Sequence, residues 1–304
     1  MTGAQQLIVP PGSGGQIAAP TVEVAPGVLA ETARRFVANR LAVAGLVVVT
    51  FLVGAAVLAD VLSPYPRDFA TFSQVLKPPS PEHLLGTDAV GRDFLTRVLH
   101  AARTSMLVGL LVPILAAVVG IPLGALAAWR GGRPDALFLR FVEIFTAVPP
   151  YMLVILLVSI WGSGVDKLIL FLGATGWVGL ARLARAQVVQ IRPLEYVTSA
   201  HALGASDRRL FGQHILPNAA GPMVVVLVMS VPSAIFAEAG LSVLGLGVKD
   251  PIPSWGKMIA EGMPYAQSNP LLALIPIGLI AVTMLAFAFV GDGLRDAFDP
   301  QGAR

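Results

Sequence analysis

The sequence predicts an all-α integral membrane protein with about six transmembrane helices. Among its 304 residues, 55% are hydrophobic and only 13% are charged, whereas a soluble domain carries about 25% charged residues. The mean hydropathy is +0.76. The apolar residues gather in uncharged runs close to the ~20 residues that a helix needs to cross a bilayer. This composition disfavours a soluble enzyme, a secreted disulfide domain and a nucleic-acid binder.

Six uncharged runs define the predicted spans, and the fourth is the shortest. Its 14 residues, 168–181, reach only ~21 Å at 1.5 Å per residue. We therefore expect this helix to continue through Arg182 and Arg185 to about residue 189, with both arginines reaching toward an aqueous interface. The runs are 41–59 (with a helix ending near residue 62), 104–129, 144–165, 168–181, 217–237 and 271–291.

The segments between these runs complete the predicted organisation. Residues 1–30 hold nine glycines or prolines and lack the cationic start of a signal peptide, so we expect a disordered tail. Six spans place both termini on one side, and 13 of the 21 lysines and arginines then lie on that side, which favours the cytoplasm. The predicted regions are the tail 1–30, a cytoplasmic interfacial segment 31–40, a first transmembrane helix 41–62, an extracytoplasmic loop 63–103, and a core 104–298 that contains the cytoplasmic loop 193–217.

The sequence predicts no catalytic residue, no metal ligand and no cofactor bound by this chain. It has no cysteine, which removes thiol nucleophiles and Cys-ligated metals. It also lacks a phosphate-binding loop and a Gly-x-Ser-x-Gly nucleophile motif. Its four histidines show no metal-ligand spacing and are expected to be loop or interfacial residues: His83, His100, His201 and His214. Active transport would therefore need energy from a partner or from an ion gradient.

The loop 193–217 is predicted to form two short helices joined by a glycine. Pro193 suits the first turn of a helix, and Val197, Ala200 and Leu203 recur at helical spacing as one apolar face. Gly204 follows as a stop in the left-handed conformation. The second helix would begin at Ser206 as its cap, with Asp207 in its first turn and Pro217 marking entry into the fifth span.

Two interpretations of this loop are open from its spacing alone. The small residues Thr198, Ser199 and Ala200 lie on the first helix and let the surface of another protein approach closely. The alternative is an ordinary amphipathic connector at the membrane surface.

The same loop resembles the EAA loop of ABC-importer permeases. That pattern is Glu-Ala-Ala, three residues, Gly, nine residues, Ile, one residue and Leu-Pro, and here it falls on residues 198–200, Gly204, His214 and 216–217. Thr198, Ser199 and His214 depart from it. Three further stretches, 83–93, 238–256 and 291–297, are similar to the C-type permeases of the dipeptide/oligopeptide branch. The resemblance covers roughly residues 32–300.

The resemblance implies the type I ABC importer permease fold in a bacterial cytoplasmic membrane. It also implies a second, B-type permease, two ATPase domains that carry ATP and Mg²⁺, an extracytoplasmic solute-binding protein and the lipid bilayer as partners, with no nucleic acid. Residues 195–203 become the coupling helix that docks in an ATPase cleft. The docking residues that it implies are Glu195, Tyr196, Thr198, Ser199, Ala200, Leu203, Gly204, Asp207, Arg208, Arg209 and Pro217.

Several alternatives stay open at this level. Arg208 and Arg209 either meet acidic or phosphate-like groups on the ATPase or anchor the loop at the lipid surface. The resemblance favours short peptides as the solute, but similar permeases move nickel, haem or glutathione. A gradient-driven secondary transporter is the less favoured function. No residue is identified as a substrate contact.

Two acidic residues beside the predicted spans are also candidates for a structural or pathway role. Glu143 is expected to pair with Arg140 or with an arginine of the fourth span, or to lie at the cytoplasmic boundary. Glu238 ends the fifth uncharged run. We expect it to face a cavity or the outer mouth, or to be an interfacial acid.

Overall fold

The computed structural model describes residues 28–299, and this part of the chain is almost entirely helical. It contains no strand, only two isolated β-bridges. The predicted tail lies largely outside the described residues, except that residues 28–30 already belong to the first helix. The helices are α1 (Val28–Ala38), α2 (Arg40–Val57), α3 (Ala59–Leu62), α4 (Phe94–Arg130), α5 (Gly132–Thr146), α6 (Pro150–Trp161), α7 (Val165–Ile191), α8 (Glu195–Ala202), α9 (Asp207–Arg209), α10 (Leu216–Val243), α11 (Trp255–Gly262) and α12 (Leu271–Phe298).

Six crossings of a membrane are consistent with these helices. In the described part of the chain, five helices are long and apolar enough to span a bilayer: α2, α4, α7, the continuous α9–α10 unit and α12. Helices α5 and α6 together form a sixth candidate, bent by 69° at the break between them. The predicted all-α membrane fold with about six spans is therefore confirmed.

The third span differs from its prediction as one run over 144–165. Helix α5 ends at Thr146 and α6 starts only at Pro150. Proline lacks the backbone N–H that would continue a helix, and it pushes the preceding residue toward extended backbone. Pro149 accordingly has an extended ψ of 126°. The 12 residues of α6 rise only about 18 Å, so this crossing needs both pieces.

The helix of the second candidate span begins ten residues before residue 104, so the last part of the predicted loop 63–103 is helical. Helix α4 starts at Phe94, where the carboxylate of Asp93 accepts a hydrogen bond from the Thr96 amide at 2.8 Å. Its first turns carry Arg97, which is 0% exposed and donates to Glu261 at 2.8 Å. The buried charge of Arg97 is thus paired with a carboxylate on another element.

The fourth span follows its prediction in extent but not in the role of Arg185. Helix α7 runs without a break from Val165 to Ile191, through the two arginines. Instead of reaching for an interface, Arg185 makes two 2.7 Å hydrogen bonds to the carboxylate of Asp135 on α5. Arg182 is exposed.

The backbones of helices α4 and α7 lie in direct contact at two glycines of α4. A Cβ atom added at Gly120 or Gly124 would collide with the backbone of Trp177 or Ala181. The small-residue pair in α4 therefore lets α7 pack directly on its main chain.

The two ends of the bundle carry different structures, which we call the connector end and the loop end. The connector end holds residues 193–217, together with α1 and the end of α12, where Arg35 donates to the Asp299 carbonyl at 3.0 Å. The loop end holds residues 63–93, the start of α4 and helix α11. There Arg103 of α4 hydrogen-bonds the carbonyls of Ala56 and Val57 at the end of α2.

An ion-pair network ties the loop end together. Asp88 accepts from Arg92 at 2.6 Å and lies 3.5 Å from the Nε of Arg97. The carboxylate of Glu261 on α11 accepts a hydrogen bond from Arg97 and also lies 3.7 Å from the guanidinium of Arg92. These contacts connect the loop 63–93, α4 and α11 around a cavity of about 540 Å³.

Candidate functional site

Helix α8 is the exposed element of the connector, residues 193–217. It begins at Glu195, whose carboxylate suits the positive end of the helix. Pro193 lies in the turn before it, so the expectation that Pro193 belongs to the first helical turn is wrong. The Leu194 carbonyl instead accepts from the amides of Val197 and Thr198 at 3.0 and 3.1 Å.

One side chain anchors α8 to the bundle. Val197 is only 3% exposed and packs in a cluster with Val188, Leu210 and Ile215. Ala200 is half-buried against the same cluster. Leu203 was expected on this face but is 90% exposed. It caps the helix at φ −80° and ψ 6°, past the last helical residue, and therefore points away from the buried row.

Gly204 forms the predicted left-handed joint. Its φ is +86°, and an added Cβ would meet no atom within 4 Å, so conformation rather than space selects glycine here. The Gly204 amide donates to the His201 carbonyl at 2.9 Å, and the Ala205 amide donates to the Ala200 carbonyl at 3.1 Å. This pair of bonds is the Schellman termination of a helix.

The second predicted helix is not a separate element. Residues Asp207–Arg209 form one turn that passes through a π-helical turn, Leu210–Ile215, directly into α10. Ser206 occupies the capping position, but its side chain makes no capping hydrogen bond. Its carbonyl accepts from the amides of Arg209 and Leu210 at 2.9 Å each. The connector therefore joins the beginning of α10 without a flexible break.

The predicted docking residues share one property, which is exposure. Only Ala200 is half-buried. Thr198 donates its hydroxyl to the Glu195 carbonyl at 3.0 Å, and Arg209 donates to Gln213 at 3.0 Å. The exposed members are Glu195, Tyr196, Thr198, Ser199, Leu203, Gly204, Asp207, Arg208, Arg209 and Pro217.

The base of the connector is packed by three residues that were not predicted from the sequence. The guanidinium of Arg192 lies 5.3 Å from the ring centroid of Trp129, a cation–π contact between the ends of α7 and α4. Phe211 of the π turn packs on the same Trp129 ring at 5.8 Å. These residues lie far apart in the chain, so no local spacing pattern could have revealed the contact.

The two acidic residues have different surroundings. Glu143 pairs with Arg140 at 2.9 Å, one of the two partners expected for it, and both are exposed. Glu238 is 0% exposed, so it is neither an interfacial acid nor open to the mouth of a cavity. It hydrogen-bonds Ser242 and Ser254.

A second feature of the bundle is a cavity of about 410 Å³ between α4, α6, α7 and α10. Its wall is mainly apolar, with hydroxyl groups from Tyr151, Thr175, Ser230 and Ser233. Within residues 28–299 no group of His, Asp or Glu side chains is arranged to hold a metal ion.

Comparisons with known proteins agree with one another. The family model for binding-protein-dependent transport system inner membrane components matches residues 120–302. The model for the N-terminal TM domain of oligopeptide transport permease C matches residues 28–79. Together they cover both the amino-terminal helices and the core that contains the connector.

Individual relatives cover most of the chain. The oligopeptide transport system permease protein OppC of Bacillus subtilis (strain 168) is 40% identical over 267 residues, which are 88% of each chain. The dipeptide transport system permease protein DppC of the same organism is also 40% identical, over 88% of this chain and 84% of its own. OppC of Escherichia coli (strain K12) is 37% identical over 88% and 89%.

A solved structure supports the fold independently. A chain of the MetNI methionine ABC transporter, in an inward-facing conformation, matches with a TM-score of 0.55 and 19% identity, over 67% of this chain and 97% of that chain. This likeness confirms the fold that the motifs implied. The chain belongs to the family of binding-protein-dependent transport system inner membrane components, in the branch of the oligopeptide and dipeptide permease C proteins.

Proposed function

We propose that this chain is one permease subunit of an ATP-driven importer that moves short peptides across a bacterial inner membrane. Its relatives are named as oligopeptide and dipeptide transport permeases, and their similarity extends over most of the chain. A second, B-type permease completes the pathway, and an extracytoplasmic binding protein delivers the peptide. The 410 Å³ cavity with its hydroxyl-bearing wall offers polar groups to peptide amides within an apolar surface.

The connector end faces the cytoplasm in this proposal, and both termini lie on that side. The charge distribution supports this orientation, since 13 of 21 lysines and arginines fall there. The loop end then faces the binding protein.

The connector docks on an ATPase subunit, and the exposure of Leu203 carries this proposal. An apolar side chain that is 90% exposed, beside a joint held by two backbone hydrogen bonds, is placed to enter a cleft on another protein. Val197 and the Trp129–Arg192–Phe211 contact hold the base of the connector. A displacement of the docked helix is then passed to α10 rather than lost in a flexible loop.

ATP and Mg²⁺ belong to the partner ATPases. This chain has no phosphate-binding loop and contributes no residue to the hydrolysis. Its own work is mechanical: it receives a displacement at the connector and changes which side of the membrane the pathway opens to.

The test replaces Leu203 with aspartate in the complete complex. A charge in an apolar cleft lowers affinity strongly, so we expect Leu203→Asp to lose most of its copurifying ATPase and its peptide uptake. Phe72→Asp is the matched control, because Phe72 is 83% exposed but lies at the loop end. It should keep the ATPase. Equal ATPase retention in both variants would remove the connector from the docking surface.

A further inference from the structure

Glu238 is a carboxylic acid buried inside the bundle near the loop end of α10. One of its oxygens, Oε1, accepts hydrogen bonds from the hydroxyls of Ser242 and Ser254, each at 2.7 Å. The other, Oε2, is buried without a hydrogen-bond partner among the described residues. Ser242 belongs to α10 itself, whereas Ser254 precedes α11. The bond to Ser254 therefore joins two different elements.

Ser254 is also the residue that starts α11. Its hydroxyl oxygen accepts from the Lys257 amide at 3.1 Å, which caps the helix. The next amide, that of Trp255, donates to the Ser105 hydroxyl of α4 at 3.0 Å. A Cβ at Gly256 would collide with Ala239 of α10. The first turn of α11 is thus held against α10 and α4 by polar contacts and by backbone-close packing.

Helix α10 connects this site to the connector without interruption. It begins after the π turn at Leu216 and ends at Val243, and its 28 residues correspond to about 42 Å of helix. Pro222 and Pro232 lie inside this helix, but its backbone is continuous, and a continuous helix can transmit a displacement at one end to the other. Whether α11 moves with it depends on the contacts at its loop end.

An apolar residue would pack at this position without the cost of burying a carboxyl group. Replacing buried polar groups with apolar ones is often neutral or stabilising for the fold. We therefore assign the Glu238 side chain a role in fixing the position of α11.

We propose that Glu238 is a positioning residue that pins α11 to α10, so that both helices move as one rigid body during transport. This inference rests on the proposed function, because the motion it transmits starts at the docked connector. Displacement of the connector then moves not only α10 but also α11 and, through Glu261, the ion-pair network around the 540 Å³ cavity.

Two serine variants test the hydrogen bond from Ser254 to Glu238, which we call the pin. Ser254→Ala removes the hydrogen bond between the helices together with the cap of α11. Ser242→Ala removes a bond of equal length to the same oxygen from within α10. We expect Ser254→Ala to lower peptide uptake about fivefold, the order of one lost hydrogen bond, and to raise the ATP hydrolysed per peptide. Ser242→Ala should stay near wild type. Equal effects of both variants, or none, overturn the pin.

A cysteine pair gives a second test that does not depend on the cap. The chain has no native cysteine, and the two serine hydroxyls share one acceptor atom. In Ser242→Cys/Ser254→Cys, oxidation by copper phenanthroline replaces the pin with a disulfide, whose formation is checked by mass spectrometry. We expect higher uptake in the oxidised than in the reduced form. Lower or equal uptake after oxidation means that α11 must leave α10, or that the link is irrelevant, and either result overturns the inference.

The experiments distinguish a failed pin from a failed docking surface. The Ser254→Ala complex should keep its ATPases, because residue 254 lies at the loop end, while Leu203→Asp should lose them. If Leu203→Asp acts and Ser254→Ala does not, only the pin is wrong. If Leu203→Asp retains the ATPase, the proposed function itself has failed at the connector.

Discussion

The connector end and the loop end of this bundle are stabilised by different interactions. At the connector end, α8 rests on one buried valine and an aromatic–guanidinium contact, and its polar side chains are exposed. At the loop end, buried arginine and acidic side chains tie three segments together. One end exposes its polar side chains, and the other pairs its charged side chains with one another. Substitutions at the two ends should therefore affect different measurements.

The largest expected effect is on stability at the loop end. Arg97→Met removes a fully buried guanidinium, so Asp88 and Glu261 each lose one positive partner and keep Arg92. Breaking a buried ion pair from one side costs about 3–5 kcal/mol when the remaining charge is left unpaired, and the remaining contacts with Arg92 reduce that cost. We expect a clear loss of thermal stability in the detergent-solubilised complex.

Arg140→Met is the control at the connector end, where Arg140 and Glu143 form an exposed pair. Such pairs contribute about 0–1 kcal/mol, so the melting temperature should barely change. Similar losses in both variants would mean that the network around Arg97 is not the stabilising feature of the loop end.

The next effect is on docking. Gly204→Val places a β-branched side chain at φ +86°, a conformation that costs an ordinary residue roughly 1–2 kcal/mol. We expect normal membrane insertion and pairing with the second permease, but loss of the copurifying ATPase.

Gly212→Val is the matched control for this variant. Gly212 also has no atom within 4 Å of an added Cβ, but it has no positive φ. The difference between the two valine variants therefore isolates the backbone conformation of the joint. If Gly212→Val loses the ATPase equally, the conformation of Gly204 is not what positions the connector.

A smaller effect concerns pH at the loop end. The hydrogen bond from Lys257 at 2.9 Å lowers the pKa of Asp250 below its usual value. A lowered folded-state pKa contributes stability above the unfolded pKa of about 3.9, and this stability is lost as pH falls through the folded-state pKa. Asp250→Asn should therefore flatten the acid limb of a stability–pH curve below about pH 4.

Lys257→Gln gives an independent check of the same pair. Lys257→Gln should also reduce the loss of stability as pH falls. The double variant should show the same pH dependence as Asp250→Asn alone. An additive change in slope would show that Lys257 is not the group that lowers the pKa of Asp250.

No effect is expected from the amino-terminal tail. Deletion of residues 1–27, which lie outside the described residues, should leave insertion, ATPase retention and uptake unchanged, because their glycine- and proline-rich sequence offers no apolar run to pack. Quantification of the permease in membranes together with peptide uptake would test this. Loss of assembly would show that the tail docks on another subunit.

The sequence predicted those features that depend on local chemistry. Apolar runs located the spans, and the glycine at position 204 predicted the left-handed joint because few other residues adopt that conformation. The start of α4 was misplaced because Arg103 bounds the uncharged run, while the carbonyls that it hydrogen-bonds, those of Ala56 and Val57, lie 47 and 46 residues away. The Trp129–Arg192–Phe211 contact and the burial of Glu238 also depend on distant residues. Local spacing carries no information about such contacts.

The backbone-close packing of α4 on α7 has a consequence for leakage. Where Gly120 and Gly124 face the main chain of α7, no side chain separates the two helices, and a file of water molecules needs both room and polar partners. The contact at these two positions therefore leaves no room for a file of water molecules between α4 and α7. Substitution of either glycine by a larger residue would force the two helices apart and open that boundary.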